Sequence, residues 1–178
     1  SVGVVSYQGS TFTNHEGGVV TADIAVNGSL WVNNFGELNG AVVAHQSAFF
    51  ILDNGATGVI NGNVILGNGA DTVTNSGTIN GYVLGNVGDD EIDTSSGVIN
   101  GIVDLGLGND IFIGSAVQDL VAGDNGRDTI SGNDGDDLLL GGGGGDTLNG
   151  GAGNDGLYGE TGDDIIITQD ADYVDGGL

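Results

Sequence analysis

Residues 123–167 read GDNGRDTIS GNDGDDLLL GGGGGDTLN GGAGNDGLY GETGDDIII, and this stretch decides the fold of the chain. Each nine-residue unit is a glycine-rich turn that ends in aspartate, followed by a short apolar strand. The aspartates also recur upstream of the stretch, giving the series Asp110, Asp119, Asp128, Asp137, Asp146, Asp155 and Asp164. A fixed period returns the chain to the same corner of a coil, where paired strands lie about 5 Å apart. The units therefore predict rows of stacked carboxylates, which need cations.

A second period of 19 to 20 residues precedes the nonapeptides. Its copies are GVINGNVILGNGADTVTNS (58–76), GTINGYVLGNVGDDEIDTSS (77–96) and GVINGIVDLGLGNDIFIGS (97–115). Each copy contains an Asn-Gly turn and a GxGxD-like turn, separated by strands. Two strands and two turns make one coil of a parallel β-solenoid. A longer repeat is then one coil with one acidic turn, and two nonapeptides form one coil with acidic turns at both ends.

Aligning the two periods predicts two edges of the solenoid. One edge carries aspartate throughout, at Asp71, Asp90, Asp110, Asp128, Asp146 and Asp164. The opposite edge begins with Asn61, Asn80 and Asn100, which are expected to form a hydrogen-bonded ladder, and continues with Asp119, Asp137 and Asp155. The second residue of each strand is expected in the core, namely Val73, Ile92, Phe112, Val121, Ile130, Leu139, Leu148, Leu157 and Ile166.

These patterns predict an all-β protein, a right-handed parallel β-helix or β-roll with calcium-binding turns, divided into four regions. Residues 1–57 have strand-like runs without acidic turns and are expected to form metal-poor coils with an N-terminal cap. Residues 58–113 are expected to carry one calcium edge, and residues 114–167 two. The segment GSAVQDLVA (114–122) is a degraded nonapeptide, expected to bind metal weakly. Residues 168–178 begin another turn and stop, as a truncated C-terminal tail would.

Composition restricts the partners of the chain. Of 178 residues, 25 are acidic and one is Lys or Arg, which gives a net charge of −24. This charge excludes nucleic acid and disfavours an anionic membrane surface, since both need a basic face. The absence of cysteine excludes disulfides and thiolate metal sites. Self-repulsion opposes the compact state until cations neutralise it, so we expect a fold that depends on cations.

The acidic turns offer oxygen ligands only. Glycines allow the turn carbonyls to point inward, and aspartate adds a charged oxygen. About six hard oxygens suit Ca²⁺, whereas Mg²⁺ prefers a tighter octahedron and zinc or copper would want imidazole or sulfur. The expected calcium ligands are the backbone carbonyls of Gly126, Gly135, Gly144, Gly153 and Gly162, together with the side chains of Asp71, Asp90, Asp110, Asp119, Asp128, Asp137, Asp146, Asp155 and Asp164.

The repeats resemble the RTX, or hemolysin-type calcium-binding, family of secreted bacterial proteins. The resemblance is specific over 104–167 and looser over 58–103, where the repeats are similar to 19-residue calcium coils of RTX adhesins. It implies that each ion is held by carbonyls of one turn and by the glycine carbonyls and aspartate of the next turn on the same edge. It also implies type I secretion in an unfolded state, with folding in extracellular calcium. The C-terminal secretion signal of the family is not evident in this chain.

Three classes of function compete. The first is a structural module that folds on calcium, which needs nothing beyond the repeats. The second is a ligand-binding solenoid, either a calcium-dependent adhesin or a carbohydrate- or ice-binding surface. Ice-binding coils repeat threonine at the third turn position, where this chain has one threonine, in the series Asn68, Val87, Leu107, Ala116, Asn125, Asp134, Gly143, Ala152 and Thr161.

Four aromatic residues could stack on a carbohydrate, Trp31, Phe35, Tyr82 and Tyr158, although the favoured interpretation places them in the core or the cap. An enzyme is the third class, and we predict that the chain is not one. The only basic or imidazole groups are Arg127, His15 and His45, without acidic partners spaced like a site. The parent protein, the surface ligand, the number of ions and the oligomeric state stay open at this stage.

Overall fold

The computed structural model describes residues 3–8, 11–27, 30–45 and 49–178, and these residues form strands and turns without a helix. Among them, no helix is long and apolar enough to cross a bilayer. Residues 1–2, where the predicted N-terminal cap would begin, lie outside the described residues. The strands form three parallel sheets that wind around one core, so the predicted all-β parallel solenoid is confirmed.

Two long sheets run the length of the solenoid. The first contains β1 Gly3–Gln8, β4 Ala22–Asn27, β7 Val42–His45, β10 Val64–Ile65, β13 Val83–Leu84, β16 Ile102–Asp104, β18 Leu120–Ala122, β19 Asn125–Gly126, β21 Leu138–Gly144, β23 Gly156–Thr161 and β25 Tyr173–Asp175. The second contains β2 Thr11–Asn14, β5 Leu30–Asn34, β8 Phe50–Asn54, β11 Thr72–Asn75, β14 Glu91–Asp93, β17 Ile111–Ile113, β20 Thr129–Asp134, β22 Thr147–Ala152 and β24 Ile165–Ile167. Each turn of the solenoid gives one strand to the second sheet, which makes nine turns in the part of the chain described.

A third, shorter sheet lines the first half of the solenoid only. It contains β3 Val19–Val20, β6 Glu37–Leu38, β9 Val59–Ile60, β12 Thr78–Ile79 and β15 Val98–Ile99. The two-strand coil predicted for the longer repeats is therefore wrong, because those coils have three sides. The chain bends at a buried asparagine such as Asn75 and adds a two-residue strand before the Asn-Gly corner. Beyond β15 the coils shorten to two sides.

The core consists of apolar residues that occupy the same position in successive strands and stack on one another. In the second sheet Val73 pairs with Ile92, Ile92 with Phe112, and Phe112 with Ile130. Eight of the nine predicted core residues are completely buried, and Ile166 is partly buried against them. Strict alternation of inward and outward side chains in each strand explains this success. The core expectation is wrong for Trp31 and Tyr82, which are 52% and 41% exposed.

Two asparagine ladders stack along the longer coils. The predicted one is confirmed, since the side-chain amides of Asn61, Asn80 and Asn100 each donate to the previous asparagine at 2.7–2.8 Å. Because Ile102 pairs with Leu120, Asp119 aligns with the residue that follows Asn100. The asparagine row and the aspartate row of this edge are therefore offset by one residue. A second, buried ladder was not predicted and contains Asn14, Asn34, Asn54 and Asn75, ending on Thr94.

Candidate metal centre

The predicted aspartates form two rows, joined turn to turn by hydrogen bonds. On the first edge each aspartate donates its backbone N–H to Oδ1 of the aspartate in the next turn, at 2.7–2.9 Å, from Asp71 to Asp164. On the second edge the same bond joins Asp119 to Asp137 and Asp137 to Asp155, at 2.8 and 2.9 Å. One oxygen of these carboxylates thus holds neighbouring turns together.

The other carboxylate oxygen lacks a partner in seven of the nine turns. Oδ2 is buried and makes no hydrogen bond in Asp90, Asp110, Asp128, Asp137, Asp146, Asp155 and Asp164. Six of these residues are at most 3% exposed. Burial of a polar atom without a partner is unfavourable, and burial of an ionised one much more so. Seven such oxygens in two rows indicate a missing positive partner.

In six of these seven turns a glycine at the first position keeps a space open beside the free oxygen, and in the turn of Asp110 this position is Leu105. A Cβ on Gly141 would lie 2.7 Å from Oδ2 of Asp146 and 2.9 Å from the carbonyl oxygen of Gly159 in the next turn. Gly123 and Gly132 have the same surroundings, each with the aspartate of its own turn and a carbonyl of the next. A carboxylate oxygen and a carbonyl oxygen therefore face one space that a side chain would fill.

The ligands in this space fit calcium. They are hard oxygens from one or two carboxylates and from the backbone. A site made of side chains alone is not available, because the described residues contain no group of three His, Cys, Asp or Glu side chains that could hold a metal. This set of oxygens suits an ion that accepts carbonyl oxygens in a tolerant geometry, which Ca²⁺ does. The residues present are therefore consistent with calcium at each free Oδ2.

Comparison with known families agrees with this geometry. The model of the RTX calcium-binding nonapeptide repeat (4 copies) matches residues 113–148 and 149–178. The chain carries RTX calcium-binding repeats. No curated protein and no solved structure is similar enough to the chain to count as a match. Calcium is thus the cofactor that these RTX repeats imply, and both rows described above run through the matched residues.

Burial makes the aspartates of both rows weaker acids. Desolvation raises the pKa of Asp90 and Asp128 to about 7 and the pKa of Asp110 and Asp137 to about 6. A backbone N–H lowers each pKa in part, and neighbouring aspartates raise it further. Burial also raises the pKa of Asp71, Asp119, Asp146 and Asp155. The rows therefore favour bound protons or bound cations over bare carboxylates.

Several of the predicted carbonyl ligands face the corresponding glycine of the next turn on the same edge. The carbonyl of Gly126 faces Gly144, and the carbonyl of Gly135 faces Gly153. A Cβ on Gly126 would lie 3.2 Å from Oδ1 of Asp128. Carbonyl oxygens of the first turn glycines, which the site prediction did not include, also face the space beside the free Oδ2, and the predicted set of calcium ligands stays a prediction. The sequence signal for these glycines is that the first position is glycine in all five units of 123–167.

The first aspartate of each row differs from the rest. Oδ2 of Asp71 accepts the backbone N–H of Gly67 at 3.0 Å, and Oδ2 of Asp119 accepts that of Ser115 at 2.7 Å. Both aspartates are in line with their rows, but neither has a free buried oxygen. Of the nine predicted aspartates, the structure gives seven an open carboxylate oxygen and two a satisfied one.

Proposed function

We propose that this chain is a calcium-folded structural module of a secreted bacterial protein. The observation that carries the proposal is the set of seven buried Oδ2 atoms without a hydrogen-bond partner, six of them beside a turn glycine. A cation at these positions would neutralise carboxylates that the fold buries and would join adjacent turns. The ion would act in structure and not in catalysis.

Calcium binding and folding would be one event. The oxygens beside Gly141 come from residues 146 and 159, in different turns, and so meet only when turns stack. Since the site does not exist in the unfolded chain, the free energy of ion binding is free energy of folding. The net charge of −24 opposes compaction without ions. Extracellular calcium modules bind at about 10⁻⁴–10⁻³ M, which would leave the sites empty inside a cell and filled outside.

Secretion by a type I system in the unfolded state is part of this proposal, supported by the RTX repeats. The regional division is also part of it: metal-poor coils over 1–57, one calcium edge over 58–113, two edges over 114–167 and a tail over 168–178. The metal-poor coils would give the ion-dependent coils a surface to stack on. Their buried asparagines hydrogen-bond from turn to turn without an ion.

A catalytic role has little support among the described residues. His15 and His45 are exposed and lie on different coils, and Arg127 is also exposed. The chain's paired aspartates are explained by the repeat, as one buried member of the row and one exposed neighbour. We therefore assign no reaction to this solenoid.

The alternative function is a calcium-dependent adhesin or a carbohydrate-binding solenoid. The exposure of Trp31 and Tyr82 favours it, because aromatic faces on a surface can stack on sugars. An ice-binding surface has less support, since the stacked column Asn68, Val87, Leu107, Asn125, Gly143 and Thr161 has one threonine. A glycan-binding screen of the calcium-loaded chain separates this function from a purely structural one.

The test of the proposed function is a calcium titration followed by far-UV circular dichroism. At neutral pH the β signal of the calcium-free chain is expected to be incomplete and to rise cooperatively with calcium. Asp146→Asn keeps the Oδ1 acceptor for Asp128 but replaces the free oxygen, so it should weaken calcium binding and lower the calcium-bound melting temperature.

The matched control is Asp134→Asn, which removes the same charge from an exposed side chain. It should leave the calcium-bound melting temperature nearly unchanged. A full β signal in excess chelator would refute the coupling of folding to calcium. Equal effects of the two substitutions would show that the free oxygen of Asp146 is not a ligand.

A further inference from the structure

The first turn of each aspartate row has a different hydrogen-bond pattern from the turns that follow. The first row starts with residues 66–71 and the second with residues 114–119. In both, the backbone N–H four residues before the aspartate donates to Oδ2, from Gly67 at 3.0 Å and from Ser115 at 2.7 Å. The oxygen that is free elsewhere already has a donor at the start of each row.

A second donor acts at the same two places. The side-chain amide of Asn86 donates to the carbonyl oxygen of Leu66, and that of Asn133 donates to the carbonyl oxygen of Gly114 at 2.6 Å. Leu66 and Gly114 occupy the first position of their turns, the position that supplies a carbonyl to the oxygen-lined space in later turns. In the first interval of each row, Oδ2 thus has a backbone donor, and the first-position carbonyl of the same turn accepts an amide from the next turn.

The two asparagines occupy the same position of the repeat. Each is the second residue of the second turn in its row, with a φ of 72° at Asn86 and 71° at Asn133. The later turns keep the positive φ at this position but have no asparagine there, with Gly106, Asp124, Gly142, Gly151 and Glu160 in its place. In these later turns Oδ2 has no partner. On both edges, therefore, the interval that contains the asparagine amide is also the interval in which Oδ2 of the aspartate has a backbone donor.

We infer that Asn86 and Asn133 terminate the two calcium rows by placing an amide where later turns take a cation. The inference rests on the proposed function, since it concerns the same oxygens. An amide N–H satisfies a carbonyl oxygen without adding charge, and its side chain fills space beside it. The cation positions then begin at Asp90 on the first edge and at Asp137 on the second. Nine acidic turns would hold seven ions, one for each free Oδ2.

These hydrogen bonds let the first interval of each row form before any ion binds. In the first turn of each row Oδ2 and the first-position carbonyl both have N–H donors, so neither oxygen requires calcium to be satisfied. The next turn can then stack on a formed surface, and each further ion adds one interval. The two asparagines would therefore set both the number of ions and the direction in which calcium-dependent stacking proceeds.

Native mass spectrometry of the whole chain in calcium tests the inference by counting ions. Asp119→Asn keeps an acceptor for Ser115 and is expected to leave the count unchanged, whereas Asp137→Asn is expected to lower it by one. Asn133→Gly removes the amide from the first interval of the second row and should raise the count by one. Asn125→Gly is the control, because this exposed asparagine side chain makes no hydrogen bond to another group.

The outcomes separate the two proposals. Loss of one ion in Asp119→Asn would overturn the inference, because this turn would then hold an ion in the unmodified chain. An unchanged count in Asn133→Gly would overturn it as well, and decides the matter if Asp119→Asn does not fold. A wild-type chain that binds no calcium would instead refute the proposed function.

Discussion

Acid is expected to stabilise the calcium-free protein and to destabilise the calcium-bound one. Burial raises the pKa of Asp90 and Asp128 to about 7, whereas an aspartate of the unfolded chain titrates near 3.9. Between these values the folded calcium-free protein keeps protons that the unfolded chain has lost. Its free energy of unfolding therefore falls as the pH rises. The extra stability is complete below about pH 4 and is lost as the pH rises through about 7.

The size of the effect follows from the number of protons. Each carboxyl that is protonated in the folded state and ionised in the unfolded state changes the free energy of unfolding by about 1.4 kcal/mol per pH unit. Asp90 and Asp128 together give roughly 3 kcal/mol between about pH 5 and 6. Asp110 and Asp137, with pKa values of about 6, add to this at the lower end. A change of this size is a large fraction of the stability of a small protein.

Bound calcium should reverse the direction in which the free energy of unfolding changes with pH. A bound cation favours the ionised carboxylates, so protons compete with it and the loaded protein loses stability as the pH falls. The assay is urea denaturation monitored by circular dichroism, from about pH 5 to 8, on metal-free protein and on protein in millimolar calcium. Calcium-free protein that is as stable at about pH 7 as at about pH 5 would refute the assignment of buried, unpaired carboxyls.

Two further substitutions test the glycines and the buried ladder. Gly132→Ala should weaken calcium binding several-fold, because the added Cβ enters the space between two oxygens, while Gly143→Ala meets no atom nearer than 3.3 Å and should leave the calcium titration unchanged. Asn34→Ala removes two bonds of the buried ladder and should cost roughly 2–3 kcal/mol in urea denaturation, with or without calcium. Asn33→Ala, on the outer face of the same strand, is its control, and equal losses in the pair would contradict a role for the ladder.

Much of the fold could be predicted because the same pattern of turn and strand recurs in successive coils. One GxGxD turn is an ordinary surface turn, but seven in series fix the coil length, the two edges and the inward strand position. The core columns that contain Val73 and Leu157, one in each long sheet, follow from that period and from alternation along each strand. The exposed asparagine ladder follows in the same way, because any residue repeated at the coil length stacks on itself.

The third side of the longer coils was missed for a physical reason. In TNSGTIN (74–80) the segment between two turn signals is so short that it was assigned to the turns. In the structure Asn75 is buried and its amide donates to Thr94 and to a backbone carbonyl, which makes a corner and leaves Thr78–Ile79 as a strand. Because asparagine is common at turns, its presence in this segment did not indicate that the side chain of Asn75 is buried. Its recurrence at the coil length, from Asn14 to Asn75, was the available signal.

By itself the sequence determined the solenoid, its acidic edges and the calcium chemistry, because period and residue type are enough to place oxygen ligands at a common corner. Only the tertiary structure decided which of those oxygens are free. Asp119 and Asp137 have the same place in the repeat, yet one Oδ2 has a backbone donor and the other has none. The difference depends on the backbone angle four residues earlier and on an amide from the next coil. A backbone donor within the turn and an amide from the next coil therefore distinguish a closed turn from a cation site, and residue type at the aspartate does not.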